Sequence, residues 1–159
     1  MEKIASFQVN HLNLLRGIYV SRKDRIHNQT VTTFDIRMKE PNKEPVMNTA
    51  EIHTIEHLGA TFLRNHPIYK DQTIYFGPMG CRTGFYVIFA GDLTSFDIVE
   101  IIQELFAFNK DFAGDVPGAD AQSCGNYLDI NLPMAKYEAH RFYEEVLCHL
   151  QQENLEYQP

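Results

Sequence analysis

Between residues 33 and 38 apolar and polar side chains alternate without a break: Phe34, Ile36 and Met38 interleave with Thr33, Asp35 and Arg37. A period of two places the apolar set on one face of a strand and the acid and guanidinium on the other. The pattern predicts strands over residues 17–26 and 29–39, joined at His27-Asn28 as a tight hairpin. Two further strands, 72–76 and 84–90, flank Gly77-Pro78-Met79-Gly80-Cys81, and the later one reads Phe85-Tyr86-Val87-Ile88-Phe89, apolar on both faces.

Elsewhere the period changes to that of a helix. Ile52, Ile55, Phe62 and Leu63 recur at helical spacing over residues 48–65, with Asn48 or Thr49 as a cap and Pro67 just beyond the end. Thr94-x-x-Asp97 caps an amphipathic helix over residues 95–108, whose buried stripe is Ile98, Ile101, Ile102, Leu105 and Phe106. A last helix starts near Pro133 and carries Ala135, Ala139, Phe142, Val146 and Leu150 on one stripe. The order β-β-α-β-β-α-α predicts an α+β fold: an antiparallel four-stranded sheet with helices packed mainly on one face. So few helices leave the second face of strand 84–90 to be covered, and a homodimer is the expected way to cover it.

Composition narrows the class. The chain has 159 residues and shows no repeat or linker, so a single domain over 1–159 is expected. A net charge of -7 argues against a phosphate-backbone partner, which needs clustered Lys and Arg, so no nucleic acid is expected. No apolar run reaches membrane-spanning length and the first residues lack a secretory pattern, so no membrane association and a cytoplasmic location are expected. Three widely spaced cysteines, Cys81, Cys124 and Cys148, fit free thiols rather than a disulfide framework.

The densest chemistry lies in His53-Thr54-Ile55-Glu56-His57, inside the predicted helix. Side chains four apart share one helical face, about 6 Å apart along the axis, so both imidazoles reach one ion. Glu56 is offset around the helix, where it suits a base beside a Lewis acid. A catalytic ion wants a third protein ligand and an open position. Cys124, delivered by a loop and followed by Gly125-Asn126, is the best-placed candidate, although a cysteine taken alone is more often an ordinary small buried residue. Cys81 precedes Arg82, a cation that favours a reactive thiolate, but it too fits a structural role. His140 and His149 read as surface or interhelical residues of the last helix, and Cys148 as structural. The bare H-x-x-E-H pattern also occurs in inverted zincin peptidases, and a closed structural metal site is a non-catalytic alternative.

Taken together, Gly80-Cys81-Arg82-Thr83-Gly84, His53-Thr54-Ile55-Glu56-His57 and Cys124-Gly125-Asn126-Tyr127 resemble the S-ribosylhomocysteine lyase family, the autoinducer-2 synthases known as LuxS. Ser6-Phe7 with His11, and Phe34-Asp35-Ile36-Arg37 followed by Pro41-Asn42, match in order and spacing. The resemblance implies a homodimer with active sites at the subunit interface, and one ferrous ion per subunit that zinc or cobalt can replace. It makes His53, His57 and Cys124 the metal ligands, Glu56 and Cys81 the acid/base pair, and Ser6, His11 and Arg37 the substrate-pocket lining. The implied substrate is S-ribosylhomocysteine. Its carbonyl moves from C1 to C2 to C3 through two enediolates before β-elimination releases homocysteine and 4,5-dihydroxy-2,3-pentanedione. Departures are Asn10 where the family commonly has Asp, Gly17-Ile18-Tyr19-Val20-Ser21 in place of Ala-Pro-Tyr-Val-Arg, and Gly59 in place of Leu. The last is expected to loosen helix packing while leaving the ligands in place.

Overall fold

A computed structural model of the chain describes residues 1–158. A short helix α1 (Ala5–Gln8) precedes β1 (Gly17–Ile26) and β2 (Gln29–Arg37), followed by α2 (Thr49–Asn65), β3 (Thr73–Pro78), β4 (Gly84–Ala90), α3 (Val99–Asp111) and α4 (Leu132–Phe142). The strands form one antiparallel sheet in the order β1-β2-β4-β3. The α+β reading therefore stands, and α1 is the element that the periodicity did not announce.

In the β1–β2 hairpin Ile26 pairs with Gln29, and His27 takes the left-handed turn conformation at φ 55°. β2 ends at Arg37 rather than at residue 39. Beyond it the backbone N–H groups of Met38 and Lys39 both donate to the Thr83 carbonyl, each at 2.9 Å, so the ladder gives way to a corner. The third strand runs on to Pro78, which still pairs with Phe85. Thr94 and Asp97 form the expected reciprocal cap, with Asp97 Oδ2 accepting from Thr94 N–H and from its hydroxyl at 2.7 Å each. A 3-10 turn, Phe96–Ile98, intervenes before α3.

Alternation along the strands decides the two faces of the sheet. Phe34, Ile36, Phe85, Val87 and Phe89 turn inward and pack against Ile55, Leu63, Ile102, Phe106, Ala139 and Phe142 of α2, α3 and α4. Tyr86, Ile88 and Ala90 point the other way and are only half-buried. Over that second face lie the chain's own ends, with Ile4 and Ser6 on one side and Tyr157 on the other.

Helix packing is not loosened at Gly59. The glycine is buried, and a Cβ there would stand 2.4 Å from Cε1 of Phe76, whose ring fills the space and stacks on Phe85 at 5.0 Å and 5°. His140 and His149 are exposed, as expected, whereas Cys148 is also exposed and so is no core residue. Among the described residues no helix is long and apolar enough to cross a membrane.

Candidate metal centre

α2 presents His53 and His57 one turn apart, and the segment after α3 folds over them. Asp120 organises that segment: its Oδ1 accepts from the N–H of Gln122 and Ser123 at 2.9 Å each, while its carbonyl accepts from Cys124 N–H at 3.0 Å. Donation by Ser123, and then by Gln122, holds the Asp120 carboxyl below the usual carboxylate range. Asn131 N–H donates to Thr54 Oγ1 at 2.9 Å and ties the far end of the loop to α2. Cys124 Sγ is thereby brought 3.4 Å from His53 Nε2.

Backbone carbonyls decide which ring nitrogens are free. His53 Nδ1 donates to Asp129 O at 2.9 Å and His57 Nδ1 to Pro117 O at 2.8 Å. A carbonyl can only accept, so both imidazoles carry their proton on Nδ1. The two Nε2 atoms, 3.0 Å apart, therefore aim lone pairs at each other. Two lone pairs in that position repel unless a cation lies between them. Asn126 N–H donates to Cys124 Sγ at 3.4 Å, which further suits a sulfur bearing negative charge.

The donor atoms of His53, His57 and Cys124 all lie within 4.8 Å of one another. Tetrahedral coordination at ordinary Zn–N and Zn–S lengths places nitrogen pairs about 3.3 Å and nitrogen–sulfur pairs about 3.5 Å apart. The 3.0 Å and 3.4 Å separations fit a single divalent ion of that kind. Among the described residues the group holds three donors and no carboxylate, so it differs both from a closed four-ligand structural site and from a zincin.

Glu56 and His53 line one groove of about 390 Å³ with Gly80, Arg82 and Asn126, so Glu56 shares its space with one member of the donor set and with the turn that carries Cys81. The cation recorded beside the Cys81 sulfur is Arg37, distant in sequence, whose Nη1 stands 3.9 Å from Sγ. Asp35 grips the same guanidinium, accepting from Nε at 3.0 Å and from Nη2 at 2.5 Å. Burial pushes the Asp35 carboxyl up, opposed by the charge and hydrogen bonds of Arg37 and by a hydrogen bond from Tyr157.

Ser6 and His11 are not joined to the donor set within one chain. Ser6 lines a separate cavity of about 250 Å³ on the open sheet face, with Thr33, Tyr75, Tyr86 and Ile88. His11 Nδ1 donates to Val9 O at 2.8 Å, and the ring lies close enough to Asp35 to act on its charge. The residues that inspection of the sequence did not single out are Pro117, Asp120 and Asp129. Two act through backbone carbonyls, which any residue supplies; only Asp120-x-x-Ser123 carried a local signal, a turn-capping spacing.

Comparison with known proteins places these residues in context. The family model described as S-Ribosylhomocysteinase (LuxS) matches residues 4–153. The chain is 62% identical over 157 residues to an S-ribosylhomocysteine lyase of Clostridium beijerinckii, covering 99% of each chain. It is 60% identical to one of Porphyromonas gingivalis, again covering 99% of each chain. With one of Borreliella burgdorferi the identity is 51%, over the same share of both.

Proposed function

Because the chain belongs to the S-ribosylhomocysteine lyase (LuxS) family, we propose that His53, His57 and Cys124 hold the divalent ion at which it cleaves its substrate. The protein is an S-ribosylhomocysteine lyase, a carbon–sulfur lyase that yields homocysteine and 4,5-dihydroxy-2,3-pentanedione, the autoinducer-2 precursor. Convergence of two imidazole nitrogens and one cysteine sulfur within 4.8 Å of one another is the single observation that carries the assignment of the site. The donor set suits ferrous iron, with zinc or cobalt as substitutes, since mixed nitrogen and sulfur ligands accept all three.

When bound, such an ion supplies Lewis-acid polarisation of substrate oxygens. The chain's own groups move the protons. Each shift of the carbonyl, from C1 to C2 and from C2 to C3, removes a proton from one carbon and returns one to its neighbour. Cys81, with Arg37 beside its sulfur, is the base for the early isomerisation. Glu56, in the groove of His53, serves the later transfers and the loss of homocysteine from C5. Arg37, Ser6 and His11 bind the substrate.

The working unit in this reading is a homodimer of one lyase domain per chain, acting in the cytoplasm. Support comes from the separation of the Ser6 cavity from the His53–Glu56 groove, since a second copy can bring its own Ser6 and His11 to a groove that lacks them. A half-buried row of Tyr86 and Ile88 offers the apolar surface for such a contact. Light scattering is expected to give twice the chain mass at micromolar concentration, and a monomer there removes the shared-site arrangement.

The deciding assay is anaerobic purification with metal analysis, followed by S-ribosylhomocysteine cleavage read with a thiol reagent. Stoichiometric metal and a burst of free thiol are expected. Metal-loaded protein that releases no homocysteine overturns the reading.

A further inference from the structure

The open face of the sheet carries a connected chain of hydrogen bonds that ends on the sulfur of Cys81. Tyr157 O–H donates to Asp35 Oδ2 at 2.9 Å, the same oxygen that takes Arg37 Nη2. Arg37 Nη1 donates to Thr83 Oγ1 at 2.6 Å. Thr83 Oγ1 in turn lies 3.0 Å from Cys81 Sγ. Because this hydroxyl already accepts from the guanidinium, its own proton is free to point at the sulfur. Asp35 accepts from both sides, from Tyr157 and from Arg37, and from the guanidinium onward the donors point toward Cys81.

Tyr157 is held for this contact by its own segment. Its ring stacks on Tyr19 with centroids 4.7 Å apart and planes within 10°. Leu155 is buried, and Asn154 Nδ2 donates to the Arg16 carbonyl at 2.9 Å. Gly17 makes the seat: a Cβ at that position would stand 2.1 Å from the carbonyl oxygen of Asn154. Tyr19, opposite Asp35 in the sheet, therefore supplies the platform and Asp35 the acceptor.

We propose that Tyr157 is a positioning residue that acts through Asp35 to hold the Arg37 guanidinium toward Cys81 and Thr83. Its role rests on the lyase reading only as far as Cys81 is a proton-moving group; the geometry itself is independent of substrate. Removing the phenol hydroxyl leaves Asp35 with one donor fewer in a buried place, and the carboxylate that aims the third guanidinium nitrogen at Thr83 is held less firmly.

Tyr157→Phe keeps the ring stack and removes only the hydroxyl. Cys81 alkylation by iodoacetamide is followed from neutral to alkaline pH by peptide mass spectrometry, which separates it from Cys124 and Cys148. The variant is expected to alkylate at Cys81 at least about threefold more slowly at neutral pH, with its profile moved to higher pH, the size set by losing one hydrogen bond to a charged group. The turnover number on S-ribosylhomocysteine is expected to fall by a similar factor while Tm changes little. An unchanged alkylation profile overturns the proposal, as does a loss of Tm that accounts for the lost turnover with the profile unmoved. Wild-type protein that alkylates as expected yet cleaves no S-ribosylhomocysteine would instead count against the lyase reading.

Discussion

The ring of Phe76 occupies the space that a side chain at position 59 would need, with Cε1 only 2.4 Å from where a Cβ of Gly59 would sit. Two residues after His57, α2 lies close on β3 because residue 59 has no side chain. Ala at position 59 gains about 1 kcal/mol of helix propensity. Overpacking against a ring fixed by Phe85 costs about 1–3 kcal/mol. Gly59→Ala is therefore expected to destabilise by about 1 kcal/mol net of these effects, measured by urea unfolding. Combined with Phe76→Leu, the two changes should be non-additive, with a coupling of at least about 0.5 kcal/mol in the favourable direction. Strict additivity would mean that the contact does not limit the approach of α2.

Lys39 and Glu138 form a buried ion pair at 2.6 Å, linking the corner after β2 to α4. Lys39→Met leaves a buried carboxylate without its cation, and a loss of about 3–5 kcal/mol is expected. Lys39→Met with Glu138→Leu should recover most of that loss, because both charges leave together. Chemical denaturation of the single and double variants checks both outcomes.

Glu145 titrates far from its ordinary value. Hydrogen bonds from Arg141 and Arg16 lower its carboxyl from 4.5 to about 2. A carboxyl depressed in the folded state contributes stability that is complete above its unfolded value and disappears as pH falls through the folded one. The stability difference between wild type and Glu145→Gln should be constant at neutral pH, shrink below pH 4.5 and vanish near about 2. The carboxylate side chain is 42% exposed, so solvent screening limits the difference to about 1 kcal/mol at most, reduced further by salt. Melting curves across acid pH in low and high salt give the measurement.

Metal removal should be felt by the fold as well as by turnover. Ligand binding to the folded state alone raises stability with ligand concentration. Chelation is expected to lower Tm, and re-addition of ferrous, zinc or cobalt ions to restore it. Cys124→Ala, which keeps both imidazoles, should weaken that response by at least about tenfold in metal concentration. A Tm indifferent to chelator and metal, in protein whose metal content has been verified, would contradict a native-state site at these donors.

Much of this was written locally. The His53–His57 pair follows from spacing four within a helix whose apolar stripe and cap are written in its own sequence. The alternation Phe34, Ile36 against Asp35, Arg37 assigned the two faces of β2, and burial of the ion pair on the open face was the part that alternation could not tell. The Thr94–Asp97 cap was equally legible, since its partners are three residues apart. Strand and helix ends were less so: β2 stops at Arg37 because the Thr83 carbonyl, distant in sequence, takes the next two N–H groups.

By itself the sequence determined the α+β order, the helix bearing two imidazoles and the motifs of the lyase family, because these depend on side chains that meet within a turn or alternate along a strand. Tertiary structure alone decided which nitrogens of His53 and His57 are left free, through the carbonyls of Asp129 and Pro117, and that Arg37 reaches the sulfur of Cys81. It also decided that Tyr157 closes on Asp35, 122 residues away. Such contacts arise when distant segments are brought together by burial of a common core, and no local period along the chain records them.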